Sequence, residues 1–420
     1  MIHQVNRLPI ANRLLPDVMA LQMAVLEAAA QVPVDKPVDL DKFKEALTPI
    51  LTTNLGSKRR FRGREAKVAQ WINAKTETLV KPLSEFAGGA PPDKARFVAD
   101  IKSDILLLYR PQTASFRVAV LDRSNKWEIG AKDFLYAFYD LWSKGFTKDL
   151  LSTSYSGNKY TRQDFVQEFH AKNPNLFICA ICDGGAYSTK TEAQIHTSVD
   201  HFFPRSIYPH LSCHPLNLIP ICSNCNSYIK GDANPLVLNG QPVGLIDFVL
   251  PYQKQDTAFR EKTYVAVVKR DPRPDKQQHP MRLVLKPARD YPAGKRIDTF
   301  NNLYKVDERW SEGLDVIEDQ VFRRVAQFLG LVDTVSLTSD PKAFTRYLEA
   351  LMSQTDLENL GKDPYAFPLV WLLRSYLDDL EKSGEESAIY KVFKAWAQIN
   401  RDRWLTLQKR SSEISARRPL

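Results

Sequence analysis

All five cysteines of this chain lie between residues 179 and 225, and four of them form two Cys-x-x-Cys pairs, Cys179/Cys182 and Cys222/Cys225. A Cys-x-x-Cys turn presents two thiolates to one ion, and two such turns complete the tetrahedron that zinc prefers. Four thiolates leave no open coordination position, so zinc held this way is structural. Two disulfides or buried free thiols are the bland alternative. They are disfavoured because paired x2 spacings rarely arise in a chain otherwise free of cysteine. The 39 residues between Cys182 and Cys222 exceed what a simple zinc ribbon needs, so the ion must close a larger loop.

That loop carries a second set of chemical groups. Asp200 and Asn226 offer hard oxygen ligands suited to Mg²⁺ or Mn²⁺. His201 adjoins Asp200, and on a strand the two point to opposite faces. One residue can then hold a metal while its neighbour reaches a water. A neutral imidazole is a suitable general base near neutral pH. A divalent ion beside it would stabilise charge on a phosphorane-like transition state and on the leaving oxygen.

Asp-His-x-x-Pro at 200–204, Asn-Leu-x-Pro at 217–220 and Cys-x-x-Cys-Asn-x-x-x-Lys at 222–230 together resemble the HNH endonuclease family of ββα-metal nucleases, in the variant with Asn at the third signature position. The resemblance implies a hairpin carrying Asp200 and His201, a loop carrying Asn217, and a short helix carrying Asn226 and Lys230. It implies that His201 activates water, that Asp200 and Asn226 bind the catalytic ion, and that Asn217 steadies the loop and the orientation of His201. Lys230 would contact a phosphate. The longer strings around 200–209 and 217–226 are similar to HNH proteins of bacterial anti-phage systems of the Septu type, where the nuclease is paired with an ATPase partner. The motif covers about an eighth of the chain and says little about target choice.

The other polar residues of this stretch have plainer readings. His196, His210 and His214 are expected to be partly exposed loop residues rather than ligands, although His214 lies close to Asn217 in sequence. Cys213 is expected to be a small buried side chain. Arg205 follows the Asp-His strand and is either a phosphate contact or a surface arginine.

Composition is that of a globular protein with a basic excess, 58 Lys and Arg against 49 Asp and Glu, which favours a polyanionic partner such as DNA. Clustered cysteines point to a metal site in a reducing compartment, hence a cytoplasmic protein. No apolar run reaches the length of a membrane span. The densest basic patch is Lys58-Arg59-Arg60-Phe61-Arg62-Gly63-Arg64. A loop of this kind suits phosphate contacts, with Phe61 stacking on bases, or else is a solvated loop or a dock for an acidic partner.

These elements predict an α+β, mostly helical chain in three parts. Residues 1–150 form a helical region. It includes a surface or docking helix at Leu15–Ala30, a helix capped by Asp39 or Asp41 with Pro49 near its end, and a short strand at Phe116–Leu121. The stripe Phe134, Leu135, Phe138, Leu141 and Trp142 reads as core, and Thr161 with Asp164 starts the helix that leads to Cys179. Residues 151–300 form a zinc-containing nuclease domain, a small ββα-metal core extended by strands at Thr263–Val268 and Arg282–Leu285. The charged loop between those strands and the basic tail near Arg417 are further candidates for nucleic-acid contact or for solvent. Residues 301–420 form a helical bundle that could hold a partner or a second copy of the chain.

The functional expectation is a metal-dependent DNA endonuclease. Three rivals remain: a zinc-stabilised binding module, a nuclease of the same chemistry acting on RNA, and an effector silent until an ATPase or sensor protein binds. The intact set of Asp200, His201, Asn217 and Asn226 speaks against a plain binding module. RNA stays open because attack on a backbone phosphate needs no 2′-hydroxyl.

Overall fold

The computed structural model describes residues 2–33, 39–110, 115–118, 125–147, 159–184, 198–252, 263–269, 281–288, 294–323, 340–358 and 362–399. They are mostly helical with small two-stranded antiparallel sheets, an α+β organisation. Two compact units emerge, Met1–Ile181 with Ala186–Phe259 and Pro292–Tyr304, and Cys182–Gly185 with Arg260–Tyr291 and Lys305–Leu420.

In the first unit, α1 (Ala11–Gln31) buries residues on every side, among them Leu14, Val18, Leu21, Val25 and Leu26. It was expected at the surface. A helix apolar all round must instead be enclosed, and α2 (Leu40–Gly56), α4 (Lys81–Ala87), α5 (Pro91–Leu107) and α6 (Lys126–Trp142) pack on it. The short α3 (Glu65–Asn73) lies between α2 and α4 in sequence. Asp39 caps α2 by accepting from the backbone N–H of Asp41 and Lys42. That helix runs through Pro49 to Gly56, because buried Leu51 and Leu55 anchor the turns beyond the missing N–H. α4 and α6 approach closely at Gly130, where a Cβ would come within 2.5 Å of the Pro82 carbonyl. The buried side of α6 holds Phe134, Leu135, Phe138 and Trp142, the stripe read as core.

Residues 116–118 form no strand. The N–H groups of Arg117 and Val118 donate instead to the Asp104 carboxylate at 2.9–3.0 Å, and 119–121 lie outside the described residues. The two-residue strands β1 (Phe146–Thr147) and β2 (Lys159–Tyr160) pair ahead of α7 (Arg162–Lys172). α7 starts at a capping box in which Thr161 and Asp164 satisfy each other's backbone N–H. β3 (Ser198–His201) pairs antiparallel with β4 (Leu218–Ile221), placing Asp200 opposite Ile219 and His201 opposite Leu218. A π-helical segment, Asn224–Lys230, follows β4, and α8 (Gly294–Tyr304) packs against it. The turn Pro209–Leu211, between β3 and β4, packs on α5 and α6. That packing joins the N-terminal helices and the hairpin into one unit, where a boundary at 150 was expected.

The second unit contains the long antiparallel pair β7 (Thr263–Lys269) and β8 (Met281–Pro287), after a minor pair β5–β6 at Val237–Leu238 and Gln241–Pro242 in the first. Expected as an extension of the hairpin domain, β7 and β8 instead group with the C-terminal helices. α9 (Val306–Glu312) packs on β8 and α12 (Ala366–Ser383) on β7. Helices at 314–323 (α10), Pro341–Glu358 (α11) and 388–399 (α13) complete it, with Phe344 stacked on Phe393 at 4.3 Å. Asp183 Oδ2 accepts the Phe367 N–H at 2.7 Å and so caps α12, while Trp310 Nε1 donates to the Cys182 carbonyl at 2.9 Å. The charged loop between β7 and β8, His196 and the basic tail lie outside the described residues. Among the described residues no helix is long and apolar enough to cross a membrane.

Candidate metal centre and active site

The four sulfurs of Cys179, Cys182, Cys222 and Cys225 lie within 4.8 Å of one another, and all four residues are buried. Cys179 Sγ and Cys225 Sγ are 3.9 Å apart. That is far beyond the ~2.05 Å of a disulfide and close to the ~3.8 Å edge of a tetrahedron built on ~2.3 Å zinc–sulfur bonds. The Cys225 N–H donates to Cys222 Sγ at 3.4 Å, which favours the thiolate a metal needs. These four cysteines can therefore bind a metal such as zinc. Cys213 is buried outside the cluster, and burial pushes its thiol up to about 12.

Beside the cluster, the β3–β4 hairpin is fixed by one buried amide. Asn217 Oδ1 accepts the Phe203 N–H at 2.7 Å, and its Nδ2 donates to the carbonyls of Phe203 at 3.1 Å and Leu211 at 3.0 Å. Asn217 thereby ties the loop after β3 to the turn Pro209–Leu211. That turn delivers the Ser212 carbonyl to His201 Nε2, 3.1 Å away. A carbonyl only accepts, so Nε2 carries the proton and Nδ1 keeps its lone pair. Burial, then the charges of Arg205 and Lys230, push His201 down to about 3, which leaves the ring neutral.

Asp200 is also buried, on the neighbouring position of β3. Its Oδ1 receives Lys230 Nζ at 2.8 Å, and Lys230 donates as well to the His201 carbonyl at 2.7 Å. Lys230 is only 3 % exposed, so its ammonium faces inward where the resemblance implied a phosphate contact. Burial raises the Asp200 carboxyl and Lys230 opposes the rise. Oδ2 of Asp200 is buried with no hydrogen-bond partner among the described residues, the state of an oxygen that fits a hard cation. Asn226 sits half-buried one residue beyond Cys225, on the segment that ends in Lys230. Tyr304 of α8, not singled out in the sequence, is fully buried near the charges of Asp200, Cys225 and Cys179.

The cations named from the sequence divide into two groups. Arg205 is near the hairpin, paired with Asp140 at 3.0 Å and stacked over Tyr136 at 4.6 Å and Tyr139 at 5.1 Å. The basic loop belongs to α1's surroundings instead. Lys58 pairs with Glu27 at 3.2 Å and Arg60 with Asp17 at 2.8 Å, while Arg59 and Arg62 are exposed and Arg64 is half-buried. Phe61, expected to stack on bases, is fully buried as the hydrophobic foot of the loop. The residues missed by sequence reasoning are Tyr139, whose ring edge meets His201 at 4.3 Å, Arg162, 4.9 Å over Tyr139, and Ser212, which acts through its backbone. No local spacing marks them, because α6, α7 and the hairpin meet only in the folded chain.

His210 and His214 are fully buried rather than partly exposed. His210 Nε2 lies 3.6 Å from Asp104 Oδ2. His214 Nδ1 accepts the Leu216 N–H at 3.1 Å and its Nε2 donates to the Ile105 carbonyl at 3.2 Å, so both nitrogens are used by the neutral ring. Burial holds His214 down at about 3 against an ordinary 6.5. Between these values the unfolded chain binds the extra proton. Stability from this residue is therefore full above pH 6.5 and falls on acidification, by about 1.4 kcal/mol per pH unit. Thermal melts from pH 7 to 4 should show a steeper loss of Tm for the wild type than for His214→Gln, which has no proton to gain. Release of any metal held by the four cysteines is common to both proteins. Equal slopes would mean that His214 is not the titrating group.

Comparison of the chain with family models, with curated proteins and with solved structures returned no match.

Proposed function

We propose that this chain is a metal-dependent endonuclease of HNH type that hydrolyses DNA phosphodiester bonds. The observation that carries the reading is the pairing of Ser212 O with His201 Nε2, which reserves Nδ1 for a proton, one residue from a buried carboxylate oxygen with no partner. His201 takes the proton of the attacking water. Asn217 holds the loop that aims it, and Lys230, donating to Asp200, favours its ionised form against burial. The orphaned Asp200 Oδ2 and the amide of Asn226 would hold Mg²⁺ or Mn²⁺, which when bound supplies charge stabilisation at the phosphate and the leaving oxygen. Zinc on Cys179, Cys182, Cys222 and Cys225 would be structural, fastening the start of the segment with Asn226 and Lys230 to the turn that carries Cys179 and Cys182.

Nicking of supercoiled plasmid by the purified, zinc-loaded protein tests the reading. Cutting is expected with Mg²⁺ or Mn²⁺ and not without added divalent ion. A folded protein that cuts neither DNA nor RNA with either ion would overturn it as the activity of this chain alone.

A further inference from the structure

We infer that Arg162 and Arg205, which converge on the ring of Tyr139 from α7 and from the loop after β3, form a two-guanidinium seat for one phosphodiester group of the DNA beside His201. The inference rests on the nuclease reading for its choice of ligand, and its geometry stands apart from it. Both guanidinium carbons lie over the same ring, Arg162 at 4.9 Å and Arg205 at 5.1 Å, and that ring meets His201 edge-on at 4.3 Å. Two guanidiniums on one ring place like charges in the same neighbourhood, which an arriving anion would relieve. Arg205 has Asp140, a carboxylate 62 % exposed. Arg162 has no carboxylate partner among the described residues, so the pair carries one uncompensated positive charge.

A phosphodiester fits this deficit in charge and in shape. The planar fork of arginine matches phosphate oxygens with paired hydrogen bonds, and stacking on Tyr136 and Tyr139 orders both forks before the anion arrives. Because burial keeps the Tyr139 phenol protonated, the platform brings no opposing charge. The remaining cation near His201, Lys230, is committed to Asp200 inside the protein. The two arginines, both on the ring that packs against His201, are therefore the groups left to hold an anion there.

Binding of a fluorescein-labelled 20-base-pair duplex, followed by anisotropy with Ca²⁺ in place of Mg²⁺, tests the seat without cutting. Arg162→Ala and Arg205→Ala should each weaken binding about 10- to 100-fold. Each should also lower the slope of log affinity against log salt by about one. Arg162→Lys should recover only part of the loss, since a point charge does not make the fork. Melts and zinc content like those of the wild type would show that the variants fold. Unchanged affinity and salt slope in the double variant would overturn the seat, as would a wild type that binds no duplex. The two readings separate cleanly. A wild type that cuts with Arg162→Ala and Arg205→Ala at unchanged KM leaves the nuclease and removes the seat. Arginine-dependent binding by a protein that never cuts leaves the seat and removes the nuclease.

Discussion

Replacing His201 by alanine is expected to reduce plasmid nicking by about 10²- to 10⁴-fold, the usual worth of a positioned general base, with duplex binding in Ca²⁺ unchanged. The expectation follows from how the ring is held. Its Nε2–H is committed to the Ser212 carbonyl at 3.1 Å, and Tyr139 packs on it edge-on. The side chain is buried, so its orientation is set by the hairpin rather than by solvent. Burial, followed by Arg205, Lys230 and Arg162, holds the ring neutral across the working pH range. A base so depressed binds its proton weakly in the free protein. An arriving phosphate would neutralise the two arginines and so remove their part of the depression, while the larger part, from burial, stays. A smaller variant, His201→Gly, leaves room for added imidazole, and partial recovery of nicking by imidazole would distinguish a lost base from a disturbed fold. Cutting by His201→Ala at the wild-type rate would remove His201 from the chemistry.

The parts of this site that sequence reasoning reached are those set by local spacing. Two x2 cysteine pairs implied four convergent sulfurs, and the sulfurs converge. Thr161 and Asp164 implied a helix start, and they form a capping box. Phe134, Leu135, Phe138 and Trp142 implied a buried stripe, because a 3.6-residue period puts them on one face. What escaped was decided by distant segments. Whether Phe61 is a stacking platform or a core residue depends on what lies beneath its loop, and the flanking arginines point to the wrong answer. His210 and His214 read as loop residues because Pro and Ser surround them, yet the turn they belong to is pressed onto α5 and α6. Lys230 carries the same side chain whether it meets a phosphate or Asp200. Only the pairing of β3 with β4, followed by the helical segment Asn224–Lys230, puts it at 2.8 Å from that carboxylate. A buried lysine beside a buried aspartate is also the cheaper arrangement, since either charge alone in that setting would be strongly unfavourable.

Loss of the metal from the cysteine cluster should have the largest effect on the fold. Cys225→Ser is expected to abolish stoichiometric zinc and, with it, both the cooperative melt of the hairpin region and nicking activity. Structural zinc contributes binding free energy on the order of 10 kcal/mol, as much as the whole stability of an ordinary domain at about 5–15 kcal/mol. The chain has little to put in its place. Cys222 and Cys225 bracket the turn that begins the segment Asn224–Lys230, and releasing them frees Asn226 and Lys230 together. Asp200 would then keep its burial and lose its ammonium, so on the nuclease reading the damage would reach the proposed site even with Mg²⁺ in excess. Cys213→Ala supplies the control. Its sulfur is as buried as the other four but stands outside the cluster, so this variant should hold one zinc per chain and melt cooperatively. Elemental analysis and thermal melts of the two variants decide the matter. Zinc retained at one per chain in Cys225→Ser, with an unchanged melt, would show that the four sulfurs are a packed thiol cluster and that the hairpin is held by its side chains alone.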